Sequence, residues 1–228
     1  MRRVFVRAAG VAALGSGMAA ALAIAPAMAS HHGGASNGPL APRDECEGVP
    51  GLQSLQSQVR QAAEQRDADA LLALTDENVK LDFGGGSGRA ELRRRLTAPD
   101  YALWRELDRA LALGCGTSIS ANGDGYAAWP WYFAKDLIPL DPYEATIVTG
   151  NGVRLRSGPS ASAPVIGKLS WDYVRRPEFN DDDYAKVITR DGREGYMAQS
   201  YLRSLVDYRV VANMVDGEWK ITAFIAGD

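Results

Sequence analysis

The segment from Tyr208 to Ile225 constrains the fold of this 228-residue chain more than any other. Asp216-Gly217 is a two-residue hairpin turn, and apolar residues alternate with polar ones on both sides of it. All the predicted cross-strand pairs are apolar or aromatic and share one face, so this face should be buried against another part of the chain. The pairs are Met214 with Trp219, Ala212 with Ile221, Val210 with Ala223, and Tyr208 with Ile225.

The first half of the chain has the spacing of amphipathic helices. Leu52, Leu55 and Val59 recur every three or four residues, with polar residues between them. Thr97 and Asp100 have the spacing of a capping box, which predicts that a helix begins there. The predicted elements are helices over residues 52–66, 68–74 and 89–96, a strand over residues 79–83, and a helix that begins at Thr97.

Residues 145–205 are predicted to consist mainly of short strands. The characteristic segments are Val153–Arg156, the turn Ser157-Gly158-Pro159-Ser160, Val165-Ile166-Gly167, Gly195-Tyr196-Met197 and Tyr201-Leu202. This combination resembles bacterial SH3-like domains, which are small β-barrels of cell-envelope proteins. The resemblance implies a binding module and does not identify its ligand.

The remaining residues resemble nuclear-transport-factor-2-like α+β cone domains. The shared features are a split helix, a strand with the glycine loop at residues 84–88, another helix, and a final Gly-x-Trp-x-Ile strand. The expected fold class is α+β: a helix-rich N-terminal domain with a few strands, plus a small SH3-like β-barrel, with the C-terminal hairpin packing back on the N-terminal domain. The expected boundaries are a signal peptide at 1–29, a flexible linker at 30–45, the helical α+β domain at 46–140, the barrel at 145–205, and the hairpin that completes the N-terminal domain at 206–228. Whether the barrel is inserted or appended stays open.

The first 29 residues have the pattern of a secretory signal peptide. A basic start is followed by an apolar run and by the small-x-small cleavage pattern Ala27-Met28-Ala29, which predicts export to the periplasm or the exterior. In an exported chain, Cys46 and Cys115 are expected to form a disulfide, with two buried free thiols as the alternative. Without the three arginines of the signal, 22 basic residues face 28 acidic ones, a net charge of −6 that does not favour nucleic acid as a partner. No later stretch is long and apolar enough to cross a bilayer.

The two histidines, His31 and His32, both lie in the predicted linker. The folded part therefore lacks the imidazole that Ser-His-Asp and Cys-His catalysis, histidine-ligated zinc and histidine general bases require. The glycine loop at 84–88 has no lysine that would close a Walker loop, so it is interpreted as a connection, with anion binding at the following helix left open. We expect Asp181-Asp182-Asp183 to form a solvated turn rather than a calcium loop, and we expect no metal or cofactor.

These patterns favour a non-enzymatic envelope protein without catalytic residues, whose barrel binds peptidoglycan or an envelope protein. Flat aromatic rings bind sugars and peptides at small entropy cost. Sequence does not separate wall binding from a purely structural role on a partner protein, and it leaves the oligomeric state open. The candidate ligand-binding residues are Trp171, Tyr173, Tyr184, Tyr196 and Tyr201.

The alternative is a small-molecule or enzymatic site in the cone-like domain, with the barrel as an accessory module. Its candidate pocket residues are Trp104, Trp129, Trp131 and Tyr132. Because histidine is absent, Asp82 or Asp124 would have to act as the base, with a pKa raised by burial.

Overall fold

The computed structural model describes residues 38–120 and 125–227. The predicted signal peptide and the first part of the linker lie outside the described residues. Within the described ranges, every helix is too short or too polar to cross a membrane.

Helices and strands alternate in the first half, and strands dominate the second. The first half contains α1 (Leu52–Gln65), α2 (Ala68–Ala73), β1 (Thr75–Lys80), α3 (Arg89–Thr97), α4 (Leu103–Leu111), β2 (Gly116–Ile119), β3 (Gly125–Trp129) and a 3₁₀ helix (Trp131–Ala134). The second half contains β4 (Ala145–Val148), β5 (Val153–Arg156), β6 (Val165–Leu169), β7 (Tyr173–Arg175), β8 (Tyr184–Thr189), β9 (Glu194–Ala198), a 3₁₀ helix (Gln199–Tyr201), β10 (Leu202–Ser204), β11 (Arg209–Val215) and β12 (Glu218–Ile225). The mixed α+β class is confirmed.

The C-terminal hairpin lies in one sheet with strands of the first half. The strand order is β1-β12-β11-β3-β2, in which β1 and β12 are parallel and the other pairs are antiparallel. The helices pack on the hairpin face that was predicted to be buried, and Leu52, Leu107 and Ile221 belong to the same core cluster. Burial of this apolar face against the helices explains why the chain returns to the first sheet after β10.

A β-bulge changes the predicted register of the hairpin. The pairs Met214 with Trp219 and Ala212 with Ile221 are confirmed, but Val210 lies opposite Phe224 instead of Ala223, and Ile225 lies opposite Arg209 instead of Tyr208. The irregularity falls between Val211 and Ala212 and leaves an extra residue on β12. As a result Phe224, only 3% exposed, faces the core, and it packs edge-to-face on Tyr208 at 5.6 Å between ring centroids.

Residues of the predicted barrel form an antiparallel seven-stranded sheet with the order β10-β4-β7-β8-β9-β5-β6. Its core contains Val148, Leu155, Val174, Val187 and Met197. Among the described strands, β10 pairs with β4 alone and β6 pairs with β5 alone, so the two edges of the sheet do not meet. The expected closed SH3-like barrel is therefore not found, because the three-residue β10 is paired along only one of its sides.

Two local predictions in the first half are wrong. Thr97 does not begin a helix; it ends α3, where its hydroxyl donates to the carbonyl oxygens of Arg93 and Arg94. The next helix begins at Leu103, after Ala102 in a left-handed conformation with φ 47°. The strand predicted over 79–83 instead spans Thr75–Lys80, because its pairing partner is β12, which lies far along the chain.

Candidate functional site

A groove lies on the seven-stranded sheet, with a volume of about 480 Å³. The residues that line it come from β5 and the loops on both sides of it, from the start of β8, from the end of β9, and from the 3₁₀ helix before β10. They are Asn151, Gly152, Val153, Arg154, Arg156, Ala161, Tyr184, Ala198 and Tyr201.

The positions of the two arginines in this groove follow from the alternation of side chains between the two faces of β5. Val153 and Leu155 are buried on the core side, so Arg154 and Arg156 lie on the opposite side of the strand. Arg156 is only 8% exposed, and its Nη1 donates to the carbonyl of Ala163 at 2.7 Å. That bond positions the guanidinium beside the loop that closes one end of the groove.

Two aromatic side chains accompany the arginines. Tyr184 begins β8 and is paired with Ala198 of β9. Tyr201 is 47% exposed, and its backbone carbonyl accepts from the amide of Thr149 at 2.8 Å and from the Thr149 hydroxyl at 3.1 Å. None of the described lining residues is acidic, so the groove combines positive charge with flat apolar surface, a combination suited to an anionic ligand.

The structure brings together two of the five predicted ligand-binding residues. Tyr184 and Tyr201 line the groove. Trp171 packs with Leu40 and Ile147 in a separate cluster, and Tyr173 belongs to the same cluster. Tyr196 is half-buried on β9 opposite Lys186.

The sequence analysis did not identify Arg154 and Arg156. The signal was present, because two arginines at positions i and i+2 of a strand must share a face. What the sequence lacked was the position of Tyr201, which lies about 45 residues further along the chain and reaches the groove only through the pairing of β4 with β10.

The pocket predicted among the aromatic residues of the first half does not form. Trp104 and Trp129 pack in or against the large core under the helices, whereas Trp131 and Tyr132 belong to a second cluster. Trp129, Trp131 and Tyr132 are at most 2% exposed, so they fill the interior instead of lining a common cavity. Burial raises the pKa of Tyr132 to about 12, with the nearby Arg203 acting in the opposite direction.

The predicted acid–base role of Asp82 is also wrong. Its carboxylate pairs with Arg95 and accepts from the amides of Gly84 and Gly86 at 2.8 Å each. These contacts, with the Arg95 hydrogen bond the largest, hold its pKa below the usual value, whereas a general base at neutral pH needs a raised pKa. The other candidate, Asp124, lies outside the described residues. The glycine loop thus uses its amides to bind a carboxylate of its own chain.

Glu91, beside this loop, makes the stability of the fold sensitive to acid. Hydrogen bonds from Arg94 and then Arg95 lower its pKa from 4.5 to about 2. A lowered pKa in the folded state stabilises the protein above the unfolded-state pKa, and this contribution is lost as the pH falls from about 4.5 towards 2. We expect the wild-type melting temperature to fall more steeply over this window than that of Glu91→Gln.

Thermal unfolding between these pH values checks the expectation. Glu47→Gln, an exchange at an exposed glutamate before α1, is the matched control and should keep the wild-type slope. Identical slopes for Glu91→Gln and the wild type would contradict the role of Glu91.

A second cleft lies between α1 and the tip of the C-terminal hairpin. Its volume is about 580 Å³, and its lining includes Leu55, Leu74, Met214 and Trp219. Met214 is 47% exposed, and the indole N–H of Trp219 donates to the carbonyl of Pro50 at 3.1 Å. This cleft is therefore an accessible site at the surface, next to the core that lies under the helices.

Comparison with known proteins yields no family. No family model matches the chain, and no curated protein matches it. Solved structures with partial similarity include an NTF2-like protein with a cystatin-like fold from Novosphingobium aromaticivorans (13% identity, 77% of this chain and 77% of that chain, TM-score 0.30). Another is an NTF2-like protein of unknown function from Pseudomonas putida KT2440 (11% identity, 76% of this chain and 81% of that chain, TM-score 0.27). A third is a protein of unknown function with a cystatin-like fold from Nostoc punctiforme (12% identity, 77% of this chain and 86% of that chain, TM-score 0.25). At such TM-scores, neither fold nor function transfers to this chain.

Proposed function

We propose that the chain is an exported envelope-binding protein that holds peptidoglycan in the groove between β5, β8 and β10. The observation that carries the proposal is the meeting of Arg154, Arg156, Tyr184 and Tyr201 in one groove of about 480 Å³. Peptidoglycan presents sugar rings and peptide carboxylates on one polymer. Tyrosine rings provide flat contact area for sugars, and guanidinium groups form charge-assisted hydrogen bonds with carboxylates.

The proposal treats residues 145–205, which contain the open seven-stranded sheet, as a binding module that is inserted between β3 and β11 of the first sheet. The strand order supports an insertion, because the strands before and after this segment pair with each other. The bridge between Cys46 and Cys115 supports export, since disulfides persist in oxidising compartments.

Binding of the chain from residue 30 onward to purified, insoluble peptidoglycan tests the function. The double variant Tyr201→Ala/Arg154→Gln is expected to weaken the apparent Kd by at least about tenfold, equal to about 1.4 kcal/mol, because it removes one ring and one charge. The measurement is a sedimentation assay with increasing amounts of peptidoglycan.

The matched control is Tyr143→Ala/Arg105→Gln, which removes the same groups from exposed positions outside the groove and should bind like the wild type. Absence of wild-type sedimentation would overturn the proposal and favour an envelope protein as the ligand. Equal loss in both double variants would also overturn it, because the groove would then not be the binding site.

The cleft beside the hairpin supports a second candidate function, the binding of a small molecule between α1 and the C-terminal hairpin. Its volume of about 580 Å³ lies within the usual range for small-molecule sites. A ligand bound there would perturb the NMR signal of the Trp219 indole and leave the Tyr201 ring signals unchanged, whereas peptidoglycan fragments in the groove would do the reverse.

A further inference from the structure

A smaller pocket, which shares no lining residue with the groove, lies where the segment before α1 meets the seven-stranded sheet. Its volume is about 240 Å³. Pro39, Leu40 and Leu137 supply aliphatic walls, and Leu137 is 46% exposed. The remaining lining residues are Arg43, Trp131, Tyr173 and Arg190.

Each arginine of this pocket is held over an aromatic ring. The guanidinium of Arg43 lies 3.8 Å from the ring centroid of Trp131, and that of Arg190 lies 5.0 Å from that of Tyr173. Such cation–π contacts orient the planar guanidinium groups while leaving N–H donors at their edges. The pocket therefore has two oriented cations from distant parts of the chain.

These charges are only partly neutralised. Arg190 pairs with Asp172 at 3.4 Å, but the described residues place no carboxylate within ion-pair distance of Arg43, whose Nη2 donates to the carbonyl of Pro39 at 2.8 Å. No acidic residue is among those lining the pocket. The pocket thus carries excess positive charge beside apolar walls.

Trp131, one of the lining residues, also carries a buried donor without a partner among the described residues. Trp131 is 1% exposed, and its indole N–H is buried without a hydrogen-bond partner in the part of the chain that the structure describes. Buried donors in native proteins normally have a partner. The Trp131 indole N–H is therefore a sensitive reporter of changes next to the pocket.

The backbone that carries Arg43 is fixed from two sides. The amide of Leu40 donates to the carbonyl of Trp171 at 2.8 Å, and the amide of Glu45 donates to the carbonyl of Cys115 at 2.8 Å. At Gly114, where φ is 82°, an added Cβ would collide with the backbone of Arg43. The Arg43 side of the pocket is therefore preorganised, which lowers the entropy cost of binding there.

We infer that this pocket binds a small aryl carboxylate. The carboxylate accepts from the guanidinium groups of Arg43 and Arg190, and the aromatic ring lies against Leu40 and Leu137. A volume of about 240 Å³ accommodates a single-ring acid. This site is independent of the proposed peptidoglycan groove.

Titration of the ¹⁵N-labelled protein with benzoate tests the inference, with the Trp131 indole N–H signal, assigned through Trp131→Phe, as the readout. Benzoate at millimolar concentration is expected to shift this signal saturably, and benzamide, which is neutral and of the same shape, is expected not to. Arg43→Gln and Arg190→Gln should each raise the Kd for benzoate about tenfold or more.

Arg105→Gln, the same exchange at an exposed arginine on α4, is the matched control and should keep the wild-type Kd. The inference is overturned if millimolar benzoate leaves the Trp131 signal in place, if benzamide shifts it equally, or if the two pocket variants bind like the control. Because the first of these outcomes is read on the wild type, a folding defect in a variant does not affect it.

Discussion

Replacing Cys46 and Cys115 together by alanine is expected to lower the free energy of unfolding by about 4 kcal/mol. The two residues are 69 positions apart, and both are fully buried with their Cα atoms 5.7 Å from each other. The bridge ties the segment before α1 to the start of β2. Without it the unfolded chain gains the entropy of an open loop of this length, so unfolding becomes more favourable.

Urea unfolding of the oxidised wild type and of the double variant measures the difference. Reduction of the wild type should reproduce the loss, and reductant should leave the double variant unchanged. A difference below about 1 kcal/mol would show that the bridge contributes far less than the chain-entropy model requires.

Phe224→Ala is expected to lower the free energy of unfolding by about 3–5 kcal/mol, the usual cost of truncating a fully buried phenylalanine. The ring is 3% exposed and lies in the core under the helices, so truncation leaves a cavity and removes its contact with Tyr208. Without the bulge this side chain would lie on the opposite face of the hairpin, away from the helices. Chemical denaturation therefore tests the bulge as well as the burial.

Val211→Ala is the control for the register. Val211 is half-buried opposite Ala223, on the face of the hairpin away from the helices, so its truncation should cost about 1 kcal/mol or less. A loss for Phe224→Ala as small as that for Val211→Ala would mean that the ring is not buried and that the regular register is the correct one.

The features that sequence analysis predicted well depend on residues close together in the chain. Periodic leucines predicted α1 to within one residue of its end, and Asp216-Gly217 correctly located the hairpin turn. Side chains three or four residues apart must share a helix face, so this information is local. The disulfide was predicted from compartment and cysteine count, without any structural information.

The candidate site was predicted only in part. Of the predicted residues, Tyr184 and Tyr201 line the groove, but Trp171 and Tyr173 lie in another cluster, and Tyr196, although paired with Arg156, does not line the groove. Aromatic residues serve packing and binding equally well, and only the pairing of distant strands separates the two uses.

By itself, the sequence determined helices α1 to α3, the hairpin turn, the cysteine pair and the absence of histidine from the described residues, because each depends on local spacing or on composition. Only the tertiary structure decided the bulge that turns Phe224 inward, the open seven-stranded sheet, and the meeting of Arg154 with Tyr201. The physical reason is that these features depend on which distant strand edges pair. This pairing is determined by the burial of entire sheet faces, and no short stretch of sequence specifies it.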